Sequence, residues 1–266
     1  MKHGWLTVVV VLAAYLSSCS APSAPTSLGN VTLTVSAGAN LTAVFQEIGS
    51  VFTEQTGIGV TFNFGSTSNL ARQIEQGAPV DVFAAANEAY ITQLNDAGLV
   101  IPDTIARYAI GRLILWTRAD SPFTLTSIED LTQPGITRIA IANPETAPYG
   151  VAAREALQTA GLWDTLQPKL IFGENIAQTF QYAETGNVDV AFVALSQGIE
   201  AGDAGKWLLL PDDLHNPLNQ VLAVVRSTQH EAEARQFAAF VNSPTGREMM
   251  RRYWYILPGE ELVTQQ

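Results

Sequence analysis

Four short stretches of this chain place hydroxyl, amide and main-chain N–H groups directly after an apolar strand pattern and directly before a helical one. They are Ala37-Gly38-Ala39-Asn40, Ser66-Thr67-Ser68, Pro148-Tyr149-Gly150 and Glu174-Asn175-Ile176. The first N–H groups of a helix have no carbonyl partner inside it, and the helix dipole adds positive potential there. Such a junction can receive an oxyanion without a cation. Asn40 can cap its helix or turn its amide to a ligand, and Ala39 can add its N–H. Ser66, Thr67 and Ser68 offer hydroxyls and N–H groups to one point. Tyr149 brings a phenol, and the missing N–H of Pro148 costs nothing in a first turn. Ile176 offers a free N–H. Taken singly, each junction is an ordinary capped helix start. What gives them weight is their number, two in each half of the chain.

The elements that must hold them follow from apolar spacing. Val31–Val35 reads as a strand, and Leu41, Val44, Phe45, Ile48, Val51 and Phe52 mark one face of a helix closed by Gly57. A strand over 60–64, a helix over 70–76, a strand over 80–84 and a helix over 87–97 continue the alternation. After a strand at 113–116 and a helical turn at 128–131, the order strand (138–141), helix (151–160), strand (170–172), helix (176–185), strand (188–193) repeats it. A strand at 220–225 reads as returning toward the first half, and two helices, 231–242 and 244–255, finish the pattern. The halves share a pattern and no duplicated sequence. The expectation is an α/β fold of two lobes, each a mixed, mainly parallel sheet flanked by helices, with a ligand cleft at the strand carboxyl ends between them.

Composition narrows the partners. The 266 residues carry 14 Lys and Arg against 25 Asp and Glu, a formal charge of −11. That excludes a nucleic-acid binder of the usual basic kind, and it means that any anion site must be local and built from dipoles. At the N-terminus, Lys2 and His3 precede an apolar run from Leu6 to Leu16, too short for a mature membrane span. Residues 1–18 therefore read as a signal peptide. Leu16-Ser17-Ser18-Cys19 resembles the bacterial lipobox, which makes Cys19 the expected lipidation site. Residues 19–29, rich in Ser, Ala and Pro, read as a flexible tether. Cys19 is the sole cysteine, so an intrachain disulfide is excluded.

Other residues read as structural. Asp81 and Asp189 lie inside strand patterns as hinge-proximal or capped carboxylates rather than catalytic ones. His215 and His230 lack the spacing of a metal site and read as solvated. Arg247, Arg251 and Arg252 read as a helix surface, with Tyr253, Trp254 and Tyr255 as core aromatics. The chain has no Gly-x-Ser-x-Gly elbow and no nucleotide-type phosphate loop. A nucleophile paired with a base is not found, so the chain is not read as an enzyme, and no cofactor is expected.

Six runs taken in order, Ser36–Leu41, Phe64–Ile74, Gly77–Phe83, Asn143–Gly150, Gly173–Ile176 and Ala191–Ser196, resemble the bacterial molybdate/tungstate-binding proteins of ABC importers. Leu70–Pro79 is the most specific piece. The resemblance implies a two-lobed type II periplasmic-binding-protein fold that holds a tetrahedral oxyanion between its lobes. It places ligand contacts on Asn40 with Ala39, on Thr67 with Ser66 and Ser68 beside it, on Tyr149, and on the N–H of Ile176. Molybdate or tungstate would thus be held through Asn40, Thr67, Tyr149 and Ile176. One branch of the family has a Tyr on the later strand where this chain has Ala194, and this chain matches the branch that pairs Asn with Tyr.

The resemblance further implies a monomeric, membrane-anchored extracytoplasmic lipoprotein that passes its ligand to an ABC permease. Lobe 1 is expected to comprise residues 30–110 and 226–266, and lobe 2 residues 111–225. Binding of another tetrahedral oxyanion such as sulfate is the alternative, and an extracytoplasmic enzyme on an anionic substrate a more distant one. A dianion that needs only donors suits these junctions. Hydrogen phosphate carries a proton that wants an acceptor.

Overall fold

The computed structural model describes Met1 and residues 31–260. The expected signal peptide, the tether and the lipidation site at Cys19 lie outside the described residues. The first half runs β1 (Thr32–Gly38), α1 (Thr42–Thr56), β2 (Gly59–Gly65), α2 (Thr67–Glu75), β3 (Val82–Ala85), α3 (Glu88–Asp96) and β4 (Ala106–Gly111). The second runs β5 (Leu113–Arg118), β6 (Ile139–Ala142), α4 (Pro148–Thr159), α5 (Trp163–Leu166), β7 (Leu170–Gly173), α6 (Ile176–Glu184), β8 (Val190–Ala194), α7 (Leu195–Ala201) and β9 (Gly205–Leu209). β10 (Leu218–Val224), α8 (Glu231–Val241) and α9 (Pro244–Arg252) follow.

The strands form two sheets, ordered β2-β1-β3-β10-β4 and β7-β6-β8-β5-β9. In each, three βα-connected strands pair in parallel and the last two pairings are antiparallel, so the sheet is mixed with all strands but one, β10 or β5, pointing the same way. The chain crosses between sheets at Arg112 and again between β9 and β10. Because β10 pairs with β3 and β4, the second lobe ends before Leu218, not at residue 225. The expected boundary shifts because an apolar strand pattern does not say which sheet it joins.

Helices cover both faces of each sheet, and buried side chains fill the layers between. Phe45, Phe52 and Phe237 pack edge-on beneath the first sheet, and Leu70, Ile74, Ile91 and Leu94 cover its other face. Ala39 and Ala86 of the first lobe belong to the same apolar cluster as Ile141, Tyr149 and Ile176 of the second, so the lobes are closed on one another. Asp81 accepts from the Thr34 N–H at 2.7 Å and from the Thr228 hydroxyl. Asp189 accepts from the N–H groups of Thr137 and Arg138 at 2.8 and 2.9 Å. Each carboxylate ties a strand start to a neighbouring segment, the structural role expected of it. His215 is buried rather than solvated, with Nδ1 2.8 Å from the Asn216 carbonyl oxygen.

Candidate functional site

Three helix starts and one tight turn converge where the lobes meet. A small cavity is lined by Ala39, Asn40, Gly65, Ser66, Thr67 and Ala86 of the first lobe and by Ala147, Pro148, Tyr149, Asn175 and Ile176 of the second. It is narrow, with room for about one water-sized guest. No Lys, Arg, Asp or Glu lines it. It adjoins a wider cleft of about 600 Å³ that shares Ala39, Asn40 and Asn175 and carries Glu184 and Glu200 toward its mouth. No group of three or more metal-ligating side chains occurs among the described residues.

Each lining group has a local cause. Thr67 opens α2 and is buried. Its Oγ1 accepts from the Ala86 N–H at 3.3 Å, which leaves its own hydroxyl proton to be given away. Tyr149 is the second residue of α4, after Pro148, so its N–H has no helical partner. The phenol is buried with no hydrogen-bond partner. Burial pushes its pKa well above the usual tyrosine value, so it stays a donor at neutral pH. It lies against the crossing point, where a Cβ on Gly111 would come within 2.1 Å of it. Ile176 opens α6. The Asn175 side chain caps this helix by accepting from the Ala177 and Gln178 N–H groups, both at 3.0 Å, which leaves the Ile176 N–H uncommitted.

Three expected residues are placed differently from the reading above. Asn40 sits in a 3₁₀ turn, Ala39–Leu41, and makes no side-chain cap. Its amide donates to Gln220 Oε1 and to the Tyr255 hydroxyl, both at 3.0 Å. What Asn40 and Ala39 offer the cavity is therefore main chain. The Ser68 side chain does not line the cavity, and its N–H donates to the Thr146 carbonyl at 3.2 Å. Ser66 lines the cavity while its hydroxyl also donates to Thr146. Those two bonds run from α2 to the loop before α4 and so join the lobes. Ala194, at the later-strand position, is buried in β8 and carries no phenol to the site.

The sequence reading missed Gln220, Tyr255, Ser196 and Thr146. Gln220 is fully buried in β10, and a lone amide in an otherwise apolar strand was the available signal. Tyr255 is buried, and its hydroxyl donates to the Asn40 carbonyl at 2.9 Å, which makes it part of the polar core.

The family description "Bacterial extracellular solute-binding protein" matches residues 33–256. The molybdate-binding protein ModA of Rhodobacter capsulatus is 37% identical over 232 residues, 87% of this chain and 90% of that one. The solved periplasmic molybdate-binding protein of Azotobacter vinelandii superposes with a TM-score of 0.82 at 31% identity, covering 85% of this chain and 99% of that one. The sulfate-binding protein SubI of Mycobacterium tuberculosis shares the fold, with a TM-score of 0.75 at 17% identity over 86% of this chain and 88% of that one. With the same overall fold and matches of this length, the chain belongs to the bacterial extracellular solute-binding proteins, in the group that contains the ModA proteins.

Proposed function

We propose that this protein is an extracytoplasmic solute-binding lipoprotein that captures molybdate or tungstate and delivers it to an ABC importer, acting as a carrier and not an enzyme. One observation carries the reading. A cavity between the lobes, without charged side chains, is lined from both sides by residues with donors to spare, the Thr67 hydroxyl proton and the N–H groups of Tyr149 and Ile176, and the partnerless Tyr149 phenol is buried beside it against Gly111. A dianion with acceptors only satisfies all of them at once. A charge-assisted hydrogen bond contributes roughly 1.5–3 kcal/mol net, so several outweigh the costs of closure and dehydration and support submicromolar binding. The absence of a carboxylate in the lining disfavours protonated anions, and the narrowness of the cavity disfavours sugars and peptides. Sulfate meets the same donors with shorter bonds, so discrimination against it rests on the size of the cavity.

On this reading Cys19 carries the lipid, the tether lets a monomer reach the permease, and the two lobes present the loaded form. The test is a thermal-shift panel with molybdate, tungstate, sulfate, phosphate and Fe(III). Molybdate or tungstate at 100 times its dissociation constant raises stability by about 2.7 kcal/mol, and sulfate and phosphate at that concentration do far less. A panel in which sulfate wins transfers the site to that ion, and one in which no anion acts overturns the reading.

A further inference from the structure

The turn after α9 reaches across the cleft in a way that ligand binding alone does not explain. Trp254 holds φ at 60°, the left-handed region that side chains other than glycine adopt at a cost of roughly 1–2 kcal/mol. That conformation serves two contacts on either side of the residue's own peptide plane. The Trp254 ring meets Trp207 of β9 edge-on, with centroids 6.0 Å apart. The next residue, Tyr255, sends its hydroxyl to the Asn40 carbonyl at 2.9 Å and receives the Asn40 amide at 3.0 Å. Ser196, in the first turn of α7 in the second lobe, donates to that same Asn40 carbonyl at 3.1 Å and lies 3.3 Å from the Tyr255 oxygen. Gln220 holds the other amide hydrogen of Asn40 from the returning strand. The turn is anchored by Ile256, whose main chain pairs with Ile110 of β4 at 2.7 and 3.1 Å, one residue before the crossing region.

Asn40 is thus fixed from three directions: its own lobe through Tyr255, the returning strand through Gln220, and the opposite lobe through Ser196. Its main chain forms one wall of the oxyanion cavity. The Ser196 bond joins the two lobes, whereas the Tyr255 bonds lie within the first lobe.

Resting on the oxyanion reading of the cavity, we infer that Ser196 and Tyr255 are positioning residues. They meet on the Asn40 carbonyl when the lobes close, hold the Ala39–Asn40 N–H groups toward the bound dianion, and so set how long it is retained. Neither side chain lines the small cavity, although Ser196 lines the wider cleft beside it, and both reach the cavity wall through the Asn40 carbonyl. Because the Ser196 bond joins the two lobes, its loss favours the open form, speeds release and leaves capture nearly unchanged. The Trp207–Trp254 contact spans the same seam and reports its opening.

The experiment uses the mature chain, with stopped-flow tryptophan fluorescence and calorimetry against molybdate. Ser196→Ala and Tyr255→Phe each raise the dissociation rate about three- to tenfold and change the association rate less than twofold. The double variant falls short of the product of the two, because both hydroxyls serve one carbonyl. Ser196→Thr, which keeps the hydroxyl, recovers most of the loss. A purely structural role instead lowers the melting temperature of the ligand-free protein and leaves the dissociation rate alone. Wild-type dissociation rates in both alanine and phenylalanine variants overturn the inference. Absence of any molybdate response in the wild-type chain overturns the reading of the cavity instead, so the two failures are distinguishable.

Discussion

Removing the Tyr149 hydroxyl has two effects of opposite sign. In the ligand-free protein it is a buried donor without a partner, and such a group costs roughly 1–3 kcal/mol. Tyr149→Phe therefore raises the melting temperature of the free protein. With a dianion present the same hydroxyl gains an acceptor, so the variant binds molybdate about tenfold more weakly. Thr67→Ala behaves differently. It deletes a donor to the ligand, and it also strips the Ala86 N–H of its acceptor. It weakens binding at least about tenfold and lowers the free protein's stability by about 1 kcal/mol. Calorimetry beside thermal melts separates these signatures. A Tyr149→Phe protein that is stabilised yet binds as tightly as wild type shows that Tyr149 serves the ligand through its N–H alone.

Helix starts were the most legible part of this chain, because apolar spacing and a preceding strand mark them locally. α6 begins at Ile176 as read, and Asn175 caps it. α2 begins at Thr67 and α4 at Pro148, each three residues before the apolar pattern takes hold, because Thr67-Ser68-Asn69 is polar and Pro148-Tyr149-Gly150 is built of turn-forming residues. What local reasoning could not supply was pairing over distance. The Asn40 amide looked free because Gln220 and Tyr255 lie 180 and 215 residues away. β4 and β9 were not read at all, since Ala-Arg-Tyr-Ala-Ile-Gly and Gly-Lys-Trp-Leu-Leu show no strict alternation and owe their form to β10 and β5. The same dependence on packing makes a prediction for α4. Gly150 lets the first turn of the helix lie on the main chain of β6, and a Cβ there would stand 2.2 Å from the Ala142 carbonyl oxygen. A backbone atom cannot step aside, so Gly150→Ala pushes the whole first turn outward. Tyr149 moves with it. The variant loses about 1–3 kcal/mol of stability and most of its molybdate affinity, whereas Ala152→Ser, one residue beyond Val151 on the same helix, retains binding. Titration and melting of both variants check this, and full affinity in Gly150→Ala would contradict the placement of α4 as a donor-bearing turn.

Between the two lobes the chain makes a pair of crossings, and buried polar groups collect beside them. Arg112 lies at the first crossing and pairs with Asp212, in the connection that leads to the second, at 3.1 Å. Tyr108, Tyr149 and Tyr255 are buried close by, two of them touching or preceding Gly111 in β4. Desolvation raises all three phenols, Tyr255 to about 12 and the others well above the usual value. An unfolded tyrosine ionises near pH 10. Between that pH and the folded values, the folded protein holds protons that the unfolded chain has released, so stability falls as pH rises through this window and is complete below it. For Tyr255 alone the displacement from about 10 to about 12 corresponds to about 3 kcal/mol once the window has been crossed. Ligand retention responds at higher pH than stability does. A phenolate at Tyr149 would face a dianion, and a phenolate at Tyr255 could no longer donate to the Asn40 carbonyl, but in the folded protein both phenols keep their protons through this window. Melting temperature is therefore flat from about pH 7 to 9 and falls above about pH 10, with Tyr255→Phe removing part of the alkaline slope in stability, while the molybdate affinity of the folded protein holds across the same range. Melts and calorimetry across pH 7–11 measure both. A decline that begins below pH 9, or an alkaline slope unchanged by Tyr255→Phe, would show that buried phenols are not what limits this fold in base.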